Sequence, residues 1–127
     1  MKIIGTGVDI VENSRIGKSI LNKSFLYRIF TNQEILISKN IKNKSSYFAK
    51  RFAAKEAFAK SLGTGFRNDF NFKDISVVND KLGKPSFFIT KKIKNMIKKK
   101  FKTSSFNFFL SISDEKKYSV AFVILQK

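Results

Sequence analysis

Tyr47-Phe48-Ala49-Lys50-Arg51-Phe52-Ala53-Ala54-Lys55-Glu56-Ala57-Phe58-Ala59-Lys60-Ser61-Leu62 is the stretch that decides the fold of this chain. It is rich in Ala, free of Gly and Pro, and followed by Gly63-Thr64-Gly65, so it predicts one long helix. At about 100° per residue, Phe48, Phe52, Ala59 and Leu62 fall on one face. Glu56 and Lys60 lie on the flank, close to Ala49 and Ala53, whose small side chains leave room for something to approach. Arg51 and Lys55 project towards the apolar side. Snorkelling stems account for that placement, and so does a cationic cleft or a subunit interface.

Outward from this helix, Ile3 to Val11 reads as a strand, with Gly5 and Gly7 where close backbone approach is needed. Asn13 or Ser14 can cap a short helix through about Leu21. Thr31-Asn32-Gln33-Glu34 has the capping-box spacing and predicts a helix through about Ile41. On the other side, Ile75 to Val78 and Ser86 to Ile89 read as strands around the turn Asn79 to Pro85. Thr90 starts a lysine-rich helix through about Phe101. Phe106 to Ser113 and Tyr118 to Gln126 alternate as a closing hairpin over Asp114-Glu115-Lys116-Lys117. Helices packed with a mostly antiparallel sheet give an α+β fold, expected as a single domain over residues 1–127.

Composition narrows the chemistry. The chain has 127 residues, is 43% hydrophobic, and contains 15 Phe, no Trp, no Cys and no His. Disulfides, thiolate metal sites, the usual zinc ligands and the usual general base are therefore absent. Any metal must be held by oxygen, which favours Mg²⁺, Mn²⁺ or Ca²⁺. No apolar stretch approaches the roughly 20 residues that span a bilayer. The apolar run in Met1-Lys2-Ile3-Ile4-Gly5 is too short for a signal peptide, so the cytoplasm is the expected location.

The net charge is +17. It fits an acidic partner, whether nucleic acid, an anionic membrane surface, a polyphosphate ligand or an acidic protein. It equally fits a base-composition bias in a chain rich in Lys, Asn, Ile and Phe together. The segment Lys91 to Lys102 carries seven lysines around the stripe Ile93, Met96, Ile97 and Phe101. That pattern reads as an amphipathic helix packed on the sheet with its lysines outward. Charge alone does not choose a function.

Two carboxylates stand where folding gives little reason for them. Asp9 interrupts the apolar strand in Gly5-Thr6-Gly7-Val8-Asp9-Ile10-Val11-Glu12, and Glu56 lies one helical turn before Lys60. Carboxylates from separate elements, with a lysine beside them, can hold a divalent cation and a phosphate together. Each also has an ordinary reading. Asp9 can be a satisfied strand-end residue, and an i,i+4 Glu–Lys pair is commonly a solvated pair worth about 0.2–0.5 kcal/mol. Gly63-Thr64-Gly65 is either a helix C-cap or a turn that lets a phosphate approach the backbone. Arg15 is a solvated arginine or an exposed basic anchor.

At these residues the sequence resembles the holo-[acyl-carrier-protein] synthases, the short bacterial type of 4′-phosphopantetheinyl transferase. The resemblance is carried by Gly5 to Glu12 and by Arg51-Phe52-Ala53-Ala54-Lys55-Glu56-Ala57-Phe58-Ala59-Lys60-Ser61-Leu62-Gly63-Thr64-Gly65. Asn79-Asp80 with Gly83-Lys84-Pro85, and Leu110-Ser111-Ile112-Ser113 before Tyr118-Ser119-Val120-Ala121, support it in the family order across nearly the whole chain.

The resemblance implies transfer of 4′-phosphopantetheine from coenzyme A to a serine of apo acyl carrier protein in fatty acid biosynthesis, with adenosine 3′,5′-bisphosphate as the other product. It implies that Asp9 and Glu56 hold Mg²⁺ (or Mn²⁺), which also binds the coenzyme A pyrophosphate, and that Lys60 stabilises the developing charge. The serine proton goes to a carboxylate or to a water on the ion, Glu56 being the side-chain candidate. By the same resemblance Gly63, Gly65 and Pro85 shape the coenzyme A groove, with Arg51 and Lys42 or Lys44 near its phosphates. Arg15 meets the acidic carrier protein. The implied assembly is a homotrimer with active sites between subunits, and an exposed sheet face is the expected contact. One departure stands out: the family commonly has His after Ser-Ile-Ser near the C-terminus, where this chain has Asp114. Aspartate there must point away from phosphate, pair with a lysine such as Lys116 or Lys117, or contact metal.

Two other function classes fit the charge. A small basic nucleic-acid-binding module would use the lysines with Phe or Tyr, and a peripheral membrane protein would attach through Lys91 to Lys102. Neither explains Asp9 and Glu56 at their positions, so neither nucleic acid nor membrane is the expected partner.

Overall fold

Burial of the Tyr47–Leu62 stretch organises the molecule. A computed structural model describes residues 1–63 and 70–127. The chain runs β1 (Ile3–Glu12), α1 (Asn13–Ser19), α2 (Lys23–Ile29), α3 (Asn32–Ser38), α4 (Lys44–Leu62), a 3₁₀ turn (Phe72–Asp74), β2 (Ile75–Asn79), β3 (Pro85–Ile89), α5 (Lys91–Phe101), β4 (Asn107–Asp114) and β5 (Tyr118–Gln126). This is the α+β class expected. All strand pairs are antiparallel, in a three-stranded sheet ordered β1-β5-β4 and a separate β2–β3 hairpin.

Helix α4 lies across the inner face of the larger sheet, with β1, β5 and β4 on one side and α1 and β2 on others. It is buried almost all round: Phe48, Ala49, Ala53, Ala54, Ala57, Phe58 and Leu62 are all core residues. The expected room beside Ala49 and Ala53 is therefore absent. Both alanines are fully buried in the protein itself, because small residues on a core helix serve close packing here.

Gly5 and Gly7 show how close that packing is. A Cβ on Gly7 would sit 1.9 Å from the Ala57 carbonyl oxygen, and one on Gly5 would sit 2.0 Å from that of Ser61. The repeat matches on both sides. Two strand residues advance by about 6.6 Å and four helical residues by about 6 Å, so alternate residues of β1 meet successive turns of α4.

A buried ion pair closes the other side of the helix. Lys55 Nζ donates to Glu34 Oε1 at 2.5 Å, to the Ile29 carbonyl at 2.8 Å and to the Phe72 carbonyl at 3.2 Å. Glu34 Oε1 also accepts from the Thr31 amide at 2.9 Å, completing the capping box, while Oε2 accepts from the Val77 amide at 2.9 Å. Four elements besides α4 thus converge on two side chains. Burial pushes the Lys55 ammonium below the ordinary lysine value, and the Glu34 carboxylate pulls it back up. Of the readings open for Lys55, the structural one holds: its head group is satisfied inside the protein.

Several boundaries differ from expectation. The first helix is not capped by Asn13 or Ser14; Glu12 occupies that position without a side-chain cap bond. Asn13 is buried instead, donating to the Glu115 and Lys116 carbonyls at 3.0 and 3.2 Å and accepting from Ser119 Oγ at 2.7 Å. It fastens the start of α1 to the β4–β5 turn. Helix α3 stops at Ser38 rather than Ile41, with Lys44 Nζ donating to the Ser38 and Ile41 carbonyls at 2.7 and 2.9 Å. Helix α4 starts three residues early because Asn43 Oδ1 accepts from the Ser46 amide at 3.0 Å. Helix α2 was not expected; Asn22 caps it by accepting from the Phe25 amide at 3.2 Å. In α5, Ile93 and Ile97 are fully buried, so its apolar stripe belongs to the core. No helix among the described residues is long and apolar enough to cross a membrane.

Two stability predictions follow from these contacts. Lys55→Met leaves the Glu34 carboxylate buried without its counter-charge and should cost about 3–5 kcal/mol in urea unfolding. Adding Glu34→Gln should recover part of that loss, and a single-mutant cost under about 1 kcal/mol would mean the pair behaves like an exposed one. Gly7→Ala forces a methyl into the Ala57 carbonyl and should lower the melting temperature by roughly 5–10 °C. An unchanged melting curve would show that β1 and α4 can separate without cost.

Candidate active site

The match of β1 to α4 brings Asp9 beside the helix. Asp9 alternates with Gly7 and Val11 on the inner side of β1, pairs with Ala121 across the sheet, and lies one helical repeat beyond the Gly7–Ala57 contact. Lys60 Nζ reaches it, donating to Asp9 Oδ1 at 3.1 Å and to the Val8 carbonyl at 3.0 Å. Glu56 is one turn earlier on α4 than Lys60 and is partly buried. Lys60 thus links Asp9 of β1 to the face of α4 that it shares with Glu56, four residues earlier.

The fit of this group to a metal can be judged from its donors. Among the described residues there is no group of three or more acidic side chains placed to hold an ion. Two carboxylates are too few for a closed protein cage but suit Mg²⁺, which keeps several waters and takes further oxygens from substrate phosphates. Asp9 and Glu56 are the residues that would hold it.

A second group lies around Arg51. A pocket of about 380 Å³ is lined by Tyr47, Lys50, Arg51, Asn79, Gly83, Pro85 and Asp114, with aliphatic side chains completing its wall. The Arg51 guanidinium stacks on the Tyr47 ring at 3.7 Å, and Nη2 donates to Asn79 Oδ1 at 2.9 Å. Arg51 Nε is buried with no hydrogen-bond partner among the described residues. Burial lowers the pKa of this group, while Tyr47 and then Glu34 raise it; a guanidinium stays charged through such a shift. A pocket with a stacked, underused guanidinium is suited to a phosphate-bearing ligand.

The expected coenzyme A residues are thus not all in one place. Arg51 and Pro85 share the pocket. Gly63, at φ +81°, ends α4 twelve residues after Arg51, about 18 Å along the axis, near the Lys60 end. Gly65 lies outside the described residues. Lys44 is engaged with carbonyls at the end of α3, and Lys42 is exposed on the connection between α3 and α4. Arg15 is exposed on α1 with its guanidinium 5.8 Å from the Phe52 ring centre.

Asp114 accepts from Ser46 Oγ at 3.0 Å, so one carboxylate oxygen turns towards the first turn of α4. Among the described residues it forms no ion pair with Lys116 or Lys117. Lys50 and Tyr47 join the pocket although no motif marks them as site residues, and Asn79 joins it from the turn motif. Lys50 carried no signal beyond adjacency to Arg51, whereas Asn79 was visible as part of a turn motif.

Comparison with known proteins identifies the family. The 4′-phosphopantetheinyl transferase superfamily model matches residues 5–123. A holo-[acyl-carrier-protein] synthase of Pelagibacter ubique (strain HTCC1062) is 69% identical over 127 residues, covering 100% of this chain and 99% of that one. The crystal structure of holo-[acyl-carrier-protein] synthase from Neisseria meningitidis superposes with a TM-score of 0.87 at 39% identity, covering 99% of this chain and 100% of that one. The enzyme from Bacillus anthracis, solved in complex with CoA (3′,5′-ADP), superposes with a TM-score of 0.81 at 38% identity, covering 98% of this chain and 97% of that one. The chain belongs to the holo-[acyl-carrier-protein] synthase family of phosphopantetheinyl transferases.

Proposed function

We propose that this chain catalyses Mg²⁺-dependent transfer of 4′-phosphopantetheine from coenzyme A to a serine hydroxyl of apo acyl carrier protein, releasing adenosine 3′,5′-bisphosphate. The observation that supports the mechanism is the contact of Lys60, one turn after Glu56 on α4, with Asp9 of β1. The serine oxygen forms a bond to the pantetheine-side phosphorus, the bond from that phosphorus to the bridging oxygen breaks, and the bisphosphate leaves. Asp9 and Glu56 would hold Mg²⁺, which when bound would supply neutralisation of phosphate charge.

The chain's own groups do the rest. Glu56 is the side chain proposed to accept the serine proton, since no histidine exists to do so. Lys60 answers the negative charge that grows on the leaving group. The Arg51 pocket, with Pro85 on its wall, is the proposed seat for the nucleotide end of coenzyme A. Gly63, Gly65, Lys42 and Lys44 are proposed to join that groove across a subunit contact, since Gly63 lies at the far end of α4 from Arg51. Arg15 is proposed to meet the carrier protein, whose negative charge the +17 balance would steer.

The proposed active form is a homotrimer with shared sites. Arg51 and Glu56 are five residues apart on α4, a net rotation of about 140°, so the pocket and the carboxylate group face different directions within one chain. The outer face of the larger sheet is apolar and open, with Val8 at 55%, Ile10 at 62%, Phe109 at 50% and Phe122 at 42% exposure. A second copy on that face would bury these side chains and allow one copy's carboxylates to serve another's pocket.

Intact-mass spectrometry of a cognate apo carrier protein with coenzyme A and Mg²⁺ should show a gain of one phosphopantetheine, abolished by a chelator. Glu56→Gln should remove turnover without unfolding the protein; full turnover would exclude Glu56. Arg15→Ala should raise KM for carrier protein far more than KM for coenzyme A, and equal changes would exclude a docking role. Light scattering should give three copies for the native chain and one for Phe122→Lys, with activity lost alongside. A native monomer with full activity would refute the shared site.

A further inference from the structure

We infer that Lys60 acts as the resident cation of Asp9, and that a divalent ion gains Asp9 Oδ1 by displacing it. The inference rests on the proposed reading of Asp9 and Glu56 as the carboxylates for that ion. Lys60 Nζ is held by two acceptors, Asp9 Oδ1 at 3.1 Å and the Val8 carbonyl at 3.0 Å. The Asp9 side chain is 17% exposed and that of Lys60 47%. The ammonium therefore occupies Oδ1 of a largely buried carboxylate.

An ammonium and a divalent cation cannot share one carboxylate oxygen at close range without strong like-charge repulsion. An ion that takes Oδ1 therefore requires the ammonium to leave it. Lys60 is the partner that can, because it sits on a flexible stem at the surface and exposed ion pairs are weak. Its backbone is fixed on α4, one turn from Glu56, so the released ammonium stays within a side-chain length of the site. Exchange thus keeps Asp9 oriented before the ion arrives and delivers a free cation to the phosphates afterwards. Lys60 is in this sense a positioning residue for Asp9 as well as a group for the reaction.

Amine acetylation read by mass spectrometry tests this without turnover. With Mg²⁺ and no coenzyme A, labelling of Lys60 should rise roughly two- to fivefold, the range that breaking an exposed pair allows. Labelling of Lys94, on α5, should stay constant. In parallel, Mn²⁺ binding followed by electron paramagnetic resonance should tighten by a similar factor in Lys60→Met but not in Lys60→Arg. Asp9→Asn should lose Mn²⁺ binding and show high Lys60 labelling without metal. If Asp9→Asn still binds Mn²⁺ with native affinity, the metal reading fails and the exchange with it. If Asp9→Asn loses the ion while Lys60 labelling and the Lys60→Met affinity stay unmoved, the exchange alone is overturned.

Discussion

The close seat of β1 on α4 is the constraint on which the rest of this molecule depends. Gly5 and Gly7 bring strand backbone against the carbonyls of Ser61 and Ala57, at a separation no side chain could share. Because two strand residues and one turn and a little of helix cover almost the same distance, the contact repeats in register. Asp9 then meets the helix edge that carries Glu56 and Lys60, and Lys60 reaches across to it. The glycines and alanines are thus spent on geometry, and the carboxylates between them are placed by it.

A packed strand fixes the position of α4 but leaves its far side to be held, and that task falls to Lys55 and Glu34. Both are fully buried, and each makes several hydrogen bonds to main chain beyond their mutual contact. Such a pair adds less to stability than its Coulomb attraction suggests, since two ions must be desolvated. What it adds here is geometry. It ties the end of α2, the start of α3, the 3₁₀ turn and β2 to one turn of α4. Arg51, one turn earlier, is thereby held over Tyr47 and against Asn79. The charges of α4 divide accordingly between fastening the fold and lining a pocket.

The regular elements were legible where the local signal was strong. Alternation marked β4 and β5, the Ala-rich run marked α4, and the Thr31–Glu34 box marked α3. What escaped depended on short or long-range effects. Helix α2 has seven residues, too few for a clear period, and only Asn22 announced it. Asn13 looked like a cap because its sequence neighbours suggested one, yet its partners are more than a hundred residues away. Glu34 read as a capping residue alone; its second role needed Lys55 and Val77 to arrive from elsewhere.

By itself the sequence determined the α+β class, the family, and the absence of histidine and cysteine chemistry, because these follow from residue identity and local periodicity. It also singled out Asp9, Glu56, Lys60 and Arg51 as residues of interest. Only the tertiary structure decided that the space beside Ala49 and Ala53 is filled by protein, that Lys55 is a core cation, that Asp114 turns towards Ser46, and that Arg51 stacks on Tyr47 and bonds Asn79. The reason is physical. A side chain's type and spacing state what it can bind, but which partner reaches it is set by how distant segments pack.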